Sequence, residues 1–344
     1  MPKNAPSKRR SATSTKVRMQ DVAAAAGVSL ASVSRVLRTP DSVSPDIVER
    51  VQAAASRLGY SPSPIASSMS GAHSPIVGVV VPTLANAFFS QSLQAMSSEL
   101  ENSGFQMMIG THEYDSAREE NAIQAFLRWN PVALIVTGIH HSRGTVRLLS
   151  GADCPIYEMW DFTRRPVDNI VGFSMEGAGR AVAEHLIERG RRNLVFVGHI
   201  LDRDPRARVR SDAFINVVQN HKGVAGRVVE VTERNVAAGA AILRQVMQDT
   251  PDVDGIAFSG DAVALGGLSA AAELGLKVPE DLAIIGFGDL DPSSASTPPL
   301  TTIRPPHERM GRQIAQCILH RQTHPDTESQ VLDLGFELVV RAST

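Results

Sequence analysis

The chain has 344 residues, is 43% hydrophobic and carries a net charge of −2, which suits two or three packed units able to bury large cores. Pro82 and Asn86 interrupt its best apolar run, short of the roughly 18 residues of a membrane span, and the basic N-terminus lacks the apolar core of an export signal. Residues 1–65 hold ten Lys/Arg against four Asp/Glu, net +6, leaving −8 for the remainder; this asymmetry fits phosphate binding confined to one end.

In chain order, residues 1–17 are Ser/Thr/Lys-rich and read as a disordered basic tail. Residues 18–61 read as a helix-turn-helix domain. Val22, Ala23 and Ala26 share a helical face, Gly27 tolerates the φ > 0 of a tight turn, and Ser29 offers an N-cap for a second helix whose Val33, Val36 and Leu37 face inward. The polar face of that second helix, Ser32, Ser34 and Arg35, suits the edges and phosphates of a major groove. A third helix starts at Ser44-Pro45, continues through Ile47, Val51, Ala54 and Leu58, and stops at Gly59. Residues 62–74 are a hinge by composition, in which Ile65, Ala66 and Met69 would share a face if coiled against a partner.

From Ile76 strands alternate with amphipathic helices. Strands are expected at 76–81, 105–110, 133–137, 156–160, 171–173, 193–197, 228–231, 255–259 and 282–286, with a last one over 332–340. Helices are expected at 88–103, 117–129, 175–189, 205–221, 237–249 and 262–274. This pattern predicts an α/β region over 75–341 built as two doubly wound parallel-sheet subdomains, with a ligand between them at the carboxyl ends of the strands. His140-His141 lacks companions at metal-ligand spacing, and Cys154 and Cys317, the only cysteines, fit a reducing cytoplasm. No metal or cofactor is implied. Gly177-Ala178-Gly179 lies within a helix pattern and reads as helix packing. Asp261 serves either as a helix cap or as a ligand contact. An enzyme finds no support in a Walker loop, a Gly-x-Ser-x-Gly elbow or a zinc motif.

Several segments together resemble the lactose/galactose repressor family of bacterial transcription factors. They are Asp21-Val22-Ala23, Ala26-Gly27-Val28-Ser29, Val33-Ser34-Arg35-Val36-Leu37, Gly78-Val79-Val80-Val81-Pro82, Gly260-Asp261-Ala262 and Pro298-Pro299-Leu300-Thr301-Thr302-Ile303. Pro82-Thr83-Leu84-Ala85-Asn86, Glu158-Met159-Trp160-Asp161 and Leu332-Asp333-Leu334-Gly335-Phe336 look most like the gluconate-utilisation repressors. The resemblance implies a periplasmic-binding-protein-like pair of lobes, the first at about 75–173 and 303–325, the second at about 174–302 and 330–341. It implies a homodimeric repressor of operator DNA controlled by a small effector, with an activator or corepressor-dependent regulator, or one responding to a neutral sugar, as alternatives, and a sugar-binding transport protein or sugar-processing enzyme further off.

Carried over residue by residue, Arg18, Leu30, Ala31, Ser32, Ser34, Arg35, Ile65, Ala66 and Met69 would meet DNA. Arg35 would bond guanine, and Met69 stands where the family places a minor-groove leucine. Ser63-Pro64 departs from the family's Asn-Arg. Asn86, Phe88, Thr137, Asp161, Phe173, Arg210, Arg234, Asp261 and Gly288 would meet the effector. Gly260 and Gly288 replace the Asn and Asp common in sugar-binding relatives, and with Arg210 and Arg234 this favours an anionic effector of the gluconate or ketogluconate type.

Overall fold

The computed structural model describes residues 17–39, 42–60, 74–85 and 87–344. The tail, the hinge calls Ile65, Ala66 and Met69, and Asn86 lie outside the described residues. The chain divides into two compact units, Met1–Ala72 and His73–Thr344.

In the first unit α1 (Met19–Ala26), α2 (Leu30–Arg38) and α3 (Pro45–Leu58) surround a core of Val22, Val33 and Val51, all fully buried, with Ala23, Ala26, Val36 and Ala54. Local chemistry fixes the ends of these helices. The Asp21 carboxylate accepts the Arg18 backbone N–H at 2.7 Å, and Gly27 adopts φ 64 at the turn. Ser29 Oγ accepts the Ser32 N–H at 3.0 Å, the N-cap expected for α2. The Arg50 guanidinium donates to the Ala26 and Gly27 carbonyls at 2.6 and 3.1 Å. One side chain of α3 thereby satisfies the open C-terminus of α1 and locks the turn between α1 and α2.

The second unit opens with β1 (Ser74–Val81), α4 (Ala87–Glu101), β2 (Gln106–Thr111), α5 (Ser116–Leu127), β3 (Pro131–Thr137), α6 (Arg143–Ser150), β4 (Ile156–Met159) and β5 (Asn169–Gly172). It continues with α7 (Met175–Glu188), β6 (Asn193–His199), α8 (Pro205–Asn220), β7 (Ala225–Val231), α9 (Val236–Asp249), β8 (Gly255–Phe258) and α10 (Asp261–Glu273). Next come β9 (Ala283–Phe287), α11 (Asp291–Ala295), β10 (Thr301–Arg304), α12 (His307–Thr323), β11 (Val331–Asp333) and β12 (Glu337–Val339). These strands form two six-stranded sheets, ordered β11-β5-β4-β3-β1-β2 and β12-β10-β9-β8-β6-β7. The first is parallel throughout; in the second only β12 runs antiparallel, against β10. Helices on both faces explain why β3 is apolar and buried along its whole length.

The tertiary structure corrects the reading of the C-terminal segment. The strand expected over 332–340 is two strands in different sheets. Asp333 Oδ1 accepts the Gly335 N–H at 2.9 Å, and Gly335 takes φ 66. This turn ends β11 in the first sheet and sends the chain to β12 in the second. The first lobe therefore includes 331–333, and the second extends through Arg304. The sequence reading did not include the helices α6 and α12, although Met310, Ile314 and Ile318 of α12 recur at helical spacing and are buried. α12 packs on α4 at Gly311, where any Cβ would overlap the Ser92 carbonyl oxygen. Gly179 has the same function between α7 and α8, since a Cβ there would overlap the Arg210 carbonyl. That agrees with the packing reading of Gly177-Ala178-Gly179.

Candidate functional site

The outward face of α2 carries Leu30, 44% exposed, with Ala31 and Arg35 also exposed and Ser34 half-buried beside them. Spacings of one, four and five residues bring these four side chains onto one side of the helix, away from Val33 and Val36. Ser32 is half-buried, its hydroxyl 2.9 Å from Ser29 Oγ. Arg18 is exposed at the start of α1. A small exposed face with one long cation fits a groove reader better than a packing surface.

In the second unit the carboxyl ends of the strands converge between the two lobes. Strand β4 of the first lobe is followed directly by Trp160, which is fully buried and held at φ 65, and then by Asp161. Trp160 and Phe88 have ring centroids 4.9 Å apart. Phe88 in turn stacks on Phe287 of the second lobe at 5.2 Å, and Phe173 lies 6.2 Å from Trp160 and 6.4 Å from Phe287. His307 closes the aromatic cluster, its Nε2–H donating to the Gly288 carbonyl at 2.8 Å. Gly288 itself has φ 131, and a Cβ there would stand 2.8 Å from Phe88 Cε2. Any side chain at 288 would therefore be strained and would displace the ring.

Charge collects against this apolar floor. Arg210 is buried, its guanidinium carbon 4.0 Å from the centre of the Phe287 ring, with long bonds to Met175 Sδ (3.3 Å) and the Ser259 carbonyl (3.4 Å). Burial lowers its pKa to about 10, so it stays protonated at neutral pH. Asp204 caps α8, accepting the Ala207 N–H at 3.3 Å, and lies 3.1 Å from Arg234 Nη2 and 3.5 Å from Arg206 Nε. Burial would raise its pKa, but Arg206, Arg234 and Arg210 outweigh that and hold it down at about 2. Asp161 behaves in the opposite way. Burial raises its pKa against the pull of the Phe162 N–H (2.8 Å), Arg206, His140 and Arg210, and its Oδ2 has no hydrogen-bond partner.

Two bonds tie the lobes together at the mouth: Arg234 Nη1 donates to the Tyr114 hydroxyl at 3.1 Å, and Arg203 Nη2 to the Glu113 carbonyl at 2.9 Å. Arg206 also stands over the Phe89 ring at 5.4 Å. Behind the mouth is a cavity of about 120 Å³ lined by His112, Tyr114, Ser116, Glu119, Thr137, His140 and Arg206. Thr137 lines it while donating to the Val80 carbonyl at 3.1 Å.

Of the effector candidates, the structure brings together Phe88, Phe173, Asp161, Arg210 and Gly288 around the aromatic floor, with Thr137 and Arg234 at the adjoining cavity and its mouth. It gives Asp261 a different task. That carboxylate is buried and accepts from Leu290 N–H (2.8 Å), Ser293 Oγ (2.8 Å) and Thr302 Oγ1 (2.7 Å), joining α10 to α11 and β10. It neither caps its helix, whose N-cap is Gly260, nor keeps an oxygen free for a ligand. The sequence reading missed Trp160, Asp204 and Arg206. The run Arg203-Asp204-Pro205-Arg206, an Asp-Pro helix start between arginines, was the available signal for two of them. Buried atoms without hydrogen-bond partners among the described residues, Trp160 Nε1, Asp161 Oδ2, Arg210 Nε and both His112 nitrogens, suit a cleft that receives a polar ligand. Among the described residues no cluster of three or more metal-ligating side chains occurs, and no helix is long and apolar enough to cross a membrane.

Residues 18–63 match the family model for bacterial regulatory proteins of the lacI family, and residues 183–344 that for a periplasmic binding protein-like domain. The HTH-type transcriptional regulator GntR of Pseudomonas aeruginosa is 36% identical, over 95% of this chain and 95% of its own. A LacI-family transcriptional regulator from Silicibacter pomeroyi superposes with a TM-score of 0.88 at 30% identity, covering 95% of this chain and 99% of that one. The lac repressor dimer bound to operator and an anti-inducer superposes at 0.80 and 25% identity, covering 96% and 99%. These relatives are transcription regulators, not enzymes.

Proposed function

This chain belongs to the LacI family of bacterial regulatory proteins, and from that membership we propose a repressor whose grip on its operator is set by a sugar acid of the gluconate or ketogluconate type. It is a DNA-binding transcriptional repressor of that family. The reading extends to a homodimer acting in the cytoplasm, because a helix-turn-helix pair on two-fold-related half-sites matches a palindromic operator.

The charge balance of the cleft supports an anionic effector most directly. Three buried or half-buried arginines, Arg206, Arg210 and Arg234, face Asp204 and an Asp161 whose carboxyl burial pushes toward neutrality. The surplus is positive, and a carboxylate can take up the unpartnered Arg210 Nε. The backbone at Gly288 points the same way, since it leaves no room for the aspartate that would bond a neutral sugar's hydroxyl. In this reading the effector lies between the lobes and favours the pairing of lobes whose contacts it completes. Operator affinity changes only to the extent that the effector binds the two lobe arrangements differently. Arg35 reads guanine, and Leu30 and Ala31 offer apolar contacts to thymine methyls.

The test is fluorescence anisotropy of the full chain on its own promoter DNA, titrated with D-gluconate, 2-keto-D-gluconate, D-glucose and D-galactose. Release by an aldonate and by neither neutral sugar is the expected result. Release by a neutral sugar alone would overturn the anionic assignment.

A further inference from the structure

The cavity behind the mouth shares Arg206 with the carboxylate-binding arginines, but its first-lobe wall carries groups that a carboxylate does not use. The cavity is open to the mouth and walled by side chains that can meet a hydroxylated chain. His112 ends β2 on its wall and is 8% exposed, and neither ring nitrogen has a partner among the described residues. A buried imidazole with both nitrogens idle leaves an energetic debt that a ligand group would settle.

We propose that His112 reads a hydroxyl at the polyol end of the effector, which enters this cavity while the carboxylate stays with the arginines of the second lobe. The proposal rests on the sugar-acid reading and adds the orientation of the ligand and a residue that selects its length. Burial lowers the His112 pKa, with Glu119 and Asp115 raising it and Arg206 and His141 lowering it, so the ring is neutral at physiological pH. A neutral imidazole offers one N–H donor and one lone pair, the same complement as a hydroxyl. Its neighbours suit the same group: Tyr114 and Ser116 bring hydroxyls, and Thr137 keeps its oxygen as an acceptor after donating to Val80.

Isothermal titration of the full chain with D-gluconate, D-glycerate and D-glucitol tests this. Glycerate keeps the carboxylate and lacks most of the chain; glucitol keeps the chain and lacks the carboxylate. His112→Leu should weaken gluconate about tenfold, the loss of one or two hydrogen bonds, and leave glycerate within about twofold. His112→Gln, which retains a donor and an acceptor, should recover part of the loss. Equal weakening of gluconate and glycerate in His112→Leu, or an unchanged gluconate affinity, would overturn the assignment. Glucitol binding the unmodified chain as tightly as gluconate would instead overturn the sugar-acid reading. In that case a selective loss of glucitol in His112→Leu would still support the hydroxyl contact. Binding of none of the three to the unmodified chain would overturn both.

Discussion

Raising the pH from 6.5 to 9.5 should loosen the first lobe of the ligand-binding unit through one histidine. The His141 side chain is 1% exposed, with Nδ1 3.0 Å from Glu119 Oε1 and Nε2 3.6 Å from Glu158 Oε1. Burial would lower its pKa, but the hydrogen bonds and charges of the two glutamates outweigh that and raise it from 6.5 to about 9. The folded pKa lies above the unfolded one, so the folded state binds the extra proton. Stability from this group is complete below pH 6.5 and is lost as pH rises through about 9. At 1.36 kcal/mol per pH unit the contribution is on the order of 3 kcal/mol. His112, His185, His199 and His307 all have lowered pKa values, so their effect, a rise in stability with pH, is complete by about pH 7.5. Burial pushes the Cys154 thiol up to about 12 and raises that of Cys317 as well, so both stay protonated when folded and add their own loss of stability above about pH 8.5, where unfolded thiols ionise.

Trp129 and Trp160, the only tryptophans, both lie in this lobe, so urea unfolding followed by tryptophan fluorescence reports it. With a slope near 3 kcal/mol/M the midpoint should fall by about 1 M between pH 6.5 and 9.5. His141→Gln should start lower and fall much less, by the thiol contribution alone. A midpoint that falls equally in both proteins, or in neither, would refute the ion-triad account.

Two further substitutions test the packing and the reader helix. Gly266 lies where α10 crosses α9, and a Cβ there would overlap the Val236 carbonyl and stand 2.8 Å from the Ala240 nitrogen. Alanine's better helix propensity, worth about 1 kcal/mol, works against the clash. The clash is with backbone and should win, so Gly266→Ala should cost about 1–3 kcal/mol and lower the calorimetric midpoint by several degrees; a midpoint unchanged or raised would show that the helices can part without cost. In the headpiece, Arg35→Ala should weaken operator binding by about 1–3 kcal/mol and relax selectivity at one base pair. Uniform weakening across operator variants, seen in anisotropy titrations, would place Arg35 on phosphate instead.

The sequence by itself determined what short-range chemistry determines. Gly27, Ser29 and the spacing of Val22, Val33 and Val51 specify the three-helix headpiece, because capping and amphipathic periodicity act within a turn or two of helix. Alternating apolar runs and helix stripes specify the parallel α/β architecture for the same reason. The arginines at 210 and 234 and the glycine at 288 could be placed in a cleft only through the resemblance. What tertiary structure decided is which distant segments meet. It spent the Asp261 carboxylate on Leu290, Ser293 and Thr302, up to 41 residues away, and split the last strand between two sheets at Gly335. It also buried His112 without a hydrogen-bond partner among the described residues and set His141 between two glutamates. A side chain's burial and partners depend on the elements packed against it, and neither composition nor period carries that information.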